Sequence, residues 1–296
     1  MSKHDWLLDK ASELDDEGRR ELLEKLLPDT SLNIDRYGMV LAADYTDQAK
    51  ERMANWGKLQ GISSGYSEID RLTKGLVGGE LIVVAGATSQ GKTTVALNIA
   101  NNVATSGAPV LFVTLEMTKA EVTARLMKMN GGDNPAYQTA AAMMAFQKED
   151  ELNWKDIDGL IAKAKQELSV GLIVIDHLHY FSRELEHLSE DLGRITKELK
   201  KNAIRHDVPI MLISHVRKKG SGEARGKAPD IEDLRGSSYI AQDADIVLMV
   251  RRMTNYPDLL AVKVEKNRNR GISSDDEYAL KFDGIKLTGK GRPYWV

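Results

Sequence analysis

The run Gly86-Ala87-Thr88-Ser89-Gln90-Gly91-Lys92-Thr93 constrains this chain more than any other stretch of it. It has the form G-x-x-x-x-G-K-[ST], follows the apolar stretch Leu81 to Ala85 and opens a helical pattern from Thr94 to Val103. A strand feeding a helix through such a turn points successive backbone N–H groups into one concavity. The helix N-terminus adds a field that favours phosphate. The expected ligand is a nucleoside triphosphate seated on Gly86 to Thr94, with Lys92 against its outer phosphates and the Thr93 hydroxyl on a Mg2+ ion.

Around that loop the sequence alternates short apolar runs with helical patterns: Leu81 to Ala85, Val110 to Leu115, Leu172 to Ile175, Ile210 to Ile213 and Ile246 to Val250. Strands of this kind are buried on both faces, and intervening helices imply parallel pairing with right-handed crossovers. Leu259 to Val264, Tyr278 to Phe282 and Gly284 to Thr288 alternate charged with apolar residues, as antiparallel edge strands do. The expected fold class is therefore α/β: a P-loop core with a mostly parallel central sheet, antiparallel C-terminal edge strands and a small N-terminal helical segment. Residues 1–58 read as a helical appendage and linker, and 59–296 as the ATPase domain. In the appendage Asp15 is placed to cap a helix whose stripe is Leu22, Leu23, Leu26 and Leu27, Pro28 stops it, and Gln48 to Trp56 reads as a further short helix.

Composition narrows the function. The chain has no cysteine, which excludes disulfides, thiolate zinc sites and thiol nucleophiles and suits a reducing cytoplasm. No apolar run approaches the roughly 20 residues needed to span a bilayer, so a soluble protein is expected. The net charge of -3 hides an asymmetry, because residues 1–58 carry nine Lys/Arg against thirteen Asp/Glu and the remainder 32 against 31.

Two further acids close apolar strands. Asp176 follows Leu172-Ile173-Val174-Ile175, the pattern that sets a carboxylate near a nucleotide-bound Mg2+; the bland alternative is an Asp capping the next turn. Glu116 follows Val110 to Leu115 and is a candidate base for orienting an attacking water, or equally a cap for the helical run that begins beyond Thr118. His215, at the end of the strand Ile210 to Ile213, reads from the residues alone as a satisfied structural histidine.

These residues together resemble the DnaB-type replicative helicases, including the helicase half of phage primase-helicases and the mitochondrial Twinkle helicase. The resemblance runs from about Gly61 to Phe282. It includes Gly65-Tyr66-Ser67-Glu68-Ile69-Asp70, Thr114-Leu115-Glu116-Met117-Thr118, Ile175-Asp176-His177, Ile213-Ser214-His215 and Asp233-Leu234-Arg235-Gly236-Ser237. It implies a RecA-like fold, Glu116 as the base, and His215 as a γ-phosphate sensor where the bacterial enzymes usually place Gln. Lys266-Asn267-Arg268 resembles the family's K-x-R finger, which reaches the nucleotide of a neighbouring subunit; Arg270 is the competing arginine. Arg252 and Phe282 match positions that stack on the adenine, with Arg251 as the competitor.

Between His215 and Asp233, Arg217, Lys218, Lys219, Arg225 and Lys227 share a glycine-rich stretch with the single acid Glu223. Flexibility and charge suit a loop that holds a sugar-phosphate backbone without reading bases. In the family this is the central-channel loop, and the resemblance implies a hexameric ring moving 5′ to 3′ on single-stranded DNA, with primase or a loader as possible partners. Two features depart from the family. The N-terminal piece is small, and Asn134 to Leu168 shows no obvious strand, so a family strand is either missing or disguised in Ala140 to Phe146. Two competing readings are a RadA-like recombination ATPase and a nucleotide-gated ring that assembles without unwinding.

Overall fold

Strands that are unbroken apolar runs must be covered on both faces, and the chain meets that demand with one nine-stranded sheet. The computed structural model describes residues 15, 17–18, 42–55, 58–148, 152–178, 188–216, 238–253, 255–269 and 277–289. Contacts divide the chain into two units, Met1–Trp56 and Gly57–Val296.

In the first unit the Asp15 carboxylate accepts a hydrogen bond from the Gly18 N–H, 2.8 Å, where two helical residues are described. This is the N-cap arrangement expected there. The leucine stripe from Leu22 to Leu27 lies outside the described residues. A 3-10 turn, Ala42–Tyr45, leads into α1, Thr46–Ala54, the short helix expected near Gln48.

The helices of the second unit are α2 (Ser67–Thr73), α3 (Lys92–Thr105), α4 (Lys119–Met129), α5 (Pro135–Ala142), α6 (Ile157–Leu168), α7 (Leu188–Arg205) and α8 (Ser238–Asp243). Its strands are β1 (Leu81–Gly86), β2 (Val110–Thr114), β3 (Met144–Phe146), β4 (Leu172–Asp176), β5 (Ile210–His215), β6 (Ile246–Met253), β7 (Tyr256–Asn267), β8 (Glu277–Phe282) and β9 (Leu287–Gly289). They lie in the order β3-β2-β4-β5-β1-β6-β7-β8-β9. Pairing is parallel from β3 to β6 and antiparallel from β6 to β9, the mixed α/β architecture expected from the alternation of patterns.

Side-chain alternation along each buried strand feeds two cores. Ile82, Val84, Phe112, Val174 and Ile213 pack with Val95, Leu97 and Ile99 of α3 on one face. Leu81, Val83, Val113, Ile175 and Leu212 pack with Ile157 and Ile161 of α6 and Leu192, Ile195 and Leu199 of α7 on the other. Each such buried aliphatic contributes about 1.5–3 kcal/mol. That anchoring stabilises α7, whose outer face is charged, as a helix.

The strand missing from the pattern is present. β3 is three residues long and pairs in parallel with β2 at the sheet edge. Beyond it the buried side chain of Gln147 continues the pairing: Thr114 N–H donates to its Oε1 at 3.1 Å and its Nε2 donates to Thr114 O at 2.6 Å. A side-chain amide does there what a fourth strand residue would do, so the strand is too short to produce an alternating signal. Among the described residues no helix is long and apolar enough to cross a membrane.

Strand register decides what meets at the carboxyl end of the sheet. Gly86 pairs with His215, and Thr114 with Asp176. The phosphate loop, His215, Asp176 and Glu116 therefore stand in a row on the neighbouring strands β1, β5, β4 and β2.

Candidate functional site

Between β1 and α3 the backbone turns through two left-handed residues, Ser89 at φ 64° and Gly91 at φ 97°. Gly91 is the N-cap of α3, and neither a side-chain cap nor an acid occupies the first turn. The first-turn N–H groups are thus available to an anion. Glycine is required at both ends of the loop. A Cβ on Gly86 would lie 2.4 Å from Val250 O, and one on Gly91 would lie 2.9 Å from Leu260 Cδ1.

Lys92 is buried, 5% exposed. Its Nζ donates to Ala87 O at 2.9 Å and lies 3.0 Å from His215 Nδ1. An ammonium can only donate, so Nδ1 is the acceptor and the ring proton of His215 is assigned to Nε2. Burial lowers the Lys92 pKa to about 8, against the opposing pull of Asp176 and Glu116. Burial, then the charges of Lys92 and His177, lower that of His215 to about 4. His215 is neutral at physiological pH.

Asp176 is 1% exposed, and its Oδ1 is a buried atom without a hydrogen-bond partner. Burial raises its pKa to about 6, while a hydrogen bond from the Thr93 side chain acts the other way. An orphaned carboxylate oxygen beside a hydroxyl is the hard oxygen set that a small divalent cation accepts. Glu116, by contrast, has a 53% exposed side chain, and its Oε2 lies 3.2 Å from His177 Nδ1. The capping role open to Glu116 is taken by Thr118, which forms a reciprocal capping box with Glu121 at the start of α4. Glu116, His177 and His215 have donor atoms within 4.8 Å of one another, a mixed nitrogen and oxygen set suited to borderline transition ions.

Arg252 and Phe282, the two positions the resemblance assigned to adenine stacking, lie against each other, with the guanidinium carbon 4.9 Å from the ring centroid. They line a cleft of about 340 Å³ with Thr94, Arg125, Lys128 and Ile285. Arg252 also ties β6 to the loop, since its N–H donates to Gln90 Oε1 at 2.7 Å and its Nε to Ser89 O at 3.2 Å. Arg251 is engaged elsewhere, in an ion pair with Glu277. The alternation therefore points Arg252, not Arg251, at the cleft.

Lys266 and Arg268 are not brought to this site. Arg268 N–H donates to Asp245 O, whose own N–H donates to Leu81 O at the start of β1. The loop follows Gly86 at the far end of that strand, about 16 Å on at a strand rise of about 3.3 Å per residue. Lys266, opposite Val247 and so level with Val83, is about 10 Å short of it. The Lys266 ammonium donates to Ala241 O at 2.6 Å and Ala244 O at 2.7 Å, and Arg268 hydrogen-bonds Gln242 O. Asp245 braces the same corner, accepting from Leu81 N–H at 2.8 Å and Lys200 Nζ at 2.6 Å. Neither cation can serve a phosphate on its own chain's loop. Arg217, Lys218, Lys219, Arg225, Lys227 and Arg270 lie outside the described residues. Sequence reasoning assigned no role to His177 or Arg125; the one available signal for His177 was its place directly after Asp176.

Residues 51–221 match the family model described as AAA domain. A probable replicative DNA helicase of Trieres chinensis is 31% identical over 259 residues, covering 76% of this chain and 56% of that protein. The replicative DNA helicase DnaB of Geobacillus stearothermophilus is 29% identical over 247 residues, covering 74% and 54%. The chain thus spans about half the length of the curated relatives it matches. Among solved structures, one described as an ATPase domain superposes with a TM-score of 0.71 at 21% identity, covering 87% of this chain and 98% of that one. A DnaB-like replicative helicase, described with its interactions with primase, gives 0.71 at 19% identity, covering 96% and 74%. The RadB recombinase gives 0.55 at 19% identity, over 77% of this chain and 99% of that one, a likeness of fold alone. With this loop, this sheet and these relatives, the chain belongs to the AAA domain family and is related to the DnaB-type replicative helicases.

Proposed function

We propose that this chain is an ATP-hydrolysing motor that translocates on single-stranded DNA, 5′ to 3′, and opens duplex during replication. The observation that carries the reading is the gathering of Lys92, Asp176, Glu116 and His215 at adjacent strand ends over one phosphate loop. The phosphates rest on the first-turn amides of α3, and Lys92 offsets the charge of the outer ones. Thr93 and Asp176 would hold Mg2+, which would offset negative charge on the phosphates. Glu116 orients the attacking water and polarises it toward the terminal phosphate. His215, neutral with its proton on Nε2, is equipped to donate to that phosphate and to register its loss. Adenine stacks by Arg252 and Phe282.

Arg268 belongs, on this reading, to a junction with a second copy in a hexameric ring, where it stabilises charge on the neighbour's phosphate. Its distance from its own loop supports that assignment. The basic residues Arg217 to Lys227 contact the DNA backbone in the channel. The ring works in the cytoplasm of a cell or of a phage's host, with primase or a loader as further partners. The names of the relatives favour the helicase over the recombination reading.

The test is ATP hydrolysis with and without single-stranded DNA, together with unwinding of a fork carrying a 5′ tail. Stimulated turnover and strand separation are expected. Turnover indifferent to DNA, with no unwinding, would replace the motor by a nucleotide-gated assembly protein.

A further inference from the structure

His177 stands between Glu116 and His215 at the carboxyl end of the sheet and has been given no task by the chemistry above. We infer that His177 is a positioning residue that holds the Glu116 carboxylate in the orientation from which it activates water; the inference rests on Glu116 being the base.

Three observations carry it. First, the backbone places the two residues together: Thr114 pairs with Asp176, and Leu115 N–H donates to Asp176 O at 2.7 Å. Glu116, two residues past the end of β2, and His177, one past the end of β4, therefore leave neighbouring strand ends side by side. Second, the two side chains differ in freedom. Glu116 is 53% exposed while His177 is 9% exposed, and an exposed glutamate samples several rotamers. A buried imidazole with Nδ1 3.2 Å from Oε2, close enough for an ion pair though outside hydrogen-bond alignment, restricts that choice and leaves Oε1 on the side open to a water. Third, His177 is itself braced. Its ring meets His215 edge to face, with centroids 4.9 Å apart and planes at 89°, and His215 lies 3.0 Å from Lys92 Nζ. The series Glu116, His177, His215, Lys92 thus links the base to the lysine that meets the phosphates.

A group that only aims the base acts on the transition state and not on ATP binding, so its removal should lower kcat and spare KM. The experiment measures DNA-stimulated ATP hydrolysis and thermal melting of the full chain, wild type beside His177→Ala, His177→Asn, His177→Gln and Glu116→Gln. His177→Ala is expected to lower kcat about 10- to 100-fold with KM for ATP changed less than about twofold. The amide nitrogen of asparagine falls where Nδ1 stands, so His177→Asn should recover kcat to within about threefold of wild type. His177→Gln, whose amide reaches the Nε2 position instead, should stay low.

An inactive Glu116→Gln beside a fully active His177→Ala would overturn the positioning role and leave the base reading intact. An active Glu116→Gln would remove the base reading and this inference with it. Equal losses in the alanine and asparagine variants at wild-type melting temperature, or a kcat raised by His177→Ala, would also overturn it. Should His177→Ala melt early, the contrast between asparagine and glutamine decides alone.

Discussion

At the carboxyl ends of β1, β5, β4 and β2 the side chains of Lys92, His215, Asp176 and Glu116 meet within one chain, whereas at the opposite end of the sheet Lys266 and Arg268 are tied to the last carbonyls of α8. The first region holds its charges against their preference: burial lowers Lys92 and His215 and raises Asp176. Such strain marks a site arranged for a ligand that is itself charged. In the second region the cations neutralise carbonyls and the Asp245 carboxylate, as a helix C-terminus favours. One end is complete within a single chain. The other is structural in a single chain, and on the proposed reading it acquires chemistry beside a second copy.

Substitutions can break this comparison, beginning with the largest effect. If Arg268 works across a junction, Arg268→Ala should retain ATP binding while hydrolysis falls about 10³-fold. Mixing it with Glu116→Gln should restore a measurable fraction at hybrid junctions, and no rescue in mixed assemblies would count against a finger acting between subunits. Next in size, Lys92→Met should lower turnover about 100-fold or more and weaken ATP binding, read by hydrolysis and by a fluorescent nucleotide titration.

The same Lys92→Met chain should nevertheless melt higher than wild type at pH 7 without nucleotide. A lysine whose pKa falls from 10.5 to about 8 on folding opposes folding fully below pH 8, and that penalty disappears as pH rises toward 10.5. The gap in Tm should therefore narrow between pH 7 and pH 9.5, and a constant gap would mean that burial of the charge is not its cause. Smallest of all, Lys266→Met removes the carbonyl contacts of α8 and should cost about 1 kcal/mol of stability, read as a lower Tm. An unchanged Tm would mean that the contacts at this corner carry no stability.

Much of the molecule was legible because its signals are local. The strands β1, β2, β4 and β5 read from unbroken apolar runs, and the turn between β1 and α3 reads from the spacing of Gly86, Gly91, Lys92 and Thr93. β3 was not legible, since three residues cannot display a period and Gln147 supplies the rest of its pairing through a side chain. The choice between Arg251 and Arg252 was open because adjacent strand residues face opposite sides, and only the partners Glu277 and Gln90 distinguish those sides. No task for His177 could be read from the sequence, because its contacts lie on strands distant along the chain.

The amino-acid sequence alone determined where a phosphate can sit: Gly86 to Thr93 specify their turn through residues within a few positions of one another, and backbone geometry does the rest. Tertiary structure decided how the strand-end acids and histidines gather at that turn and which cations stay away from it. Strand order and register bring Glu116 beside His177 and Asp176 beside Thr93, while they hold Lys266 at the far end of the sheet. Crossovers and burial set those neighbours, and burial in turn sets their charge states, so no spacing along the chain encodes them.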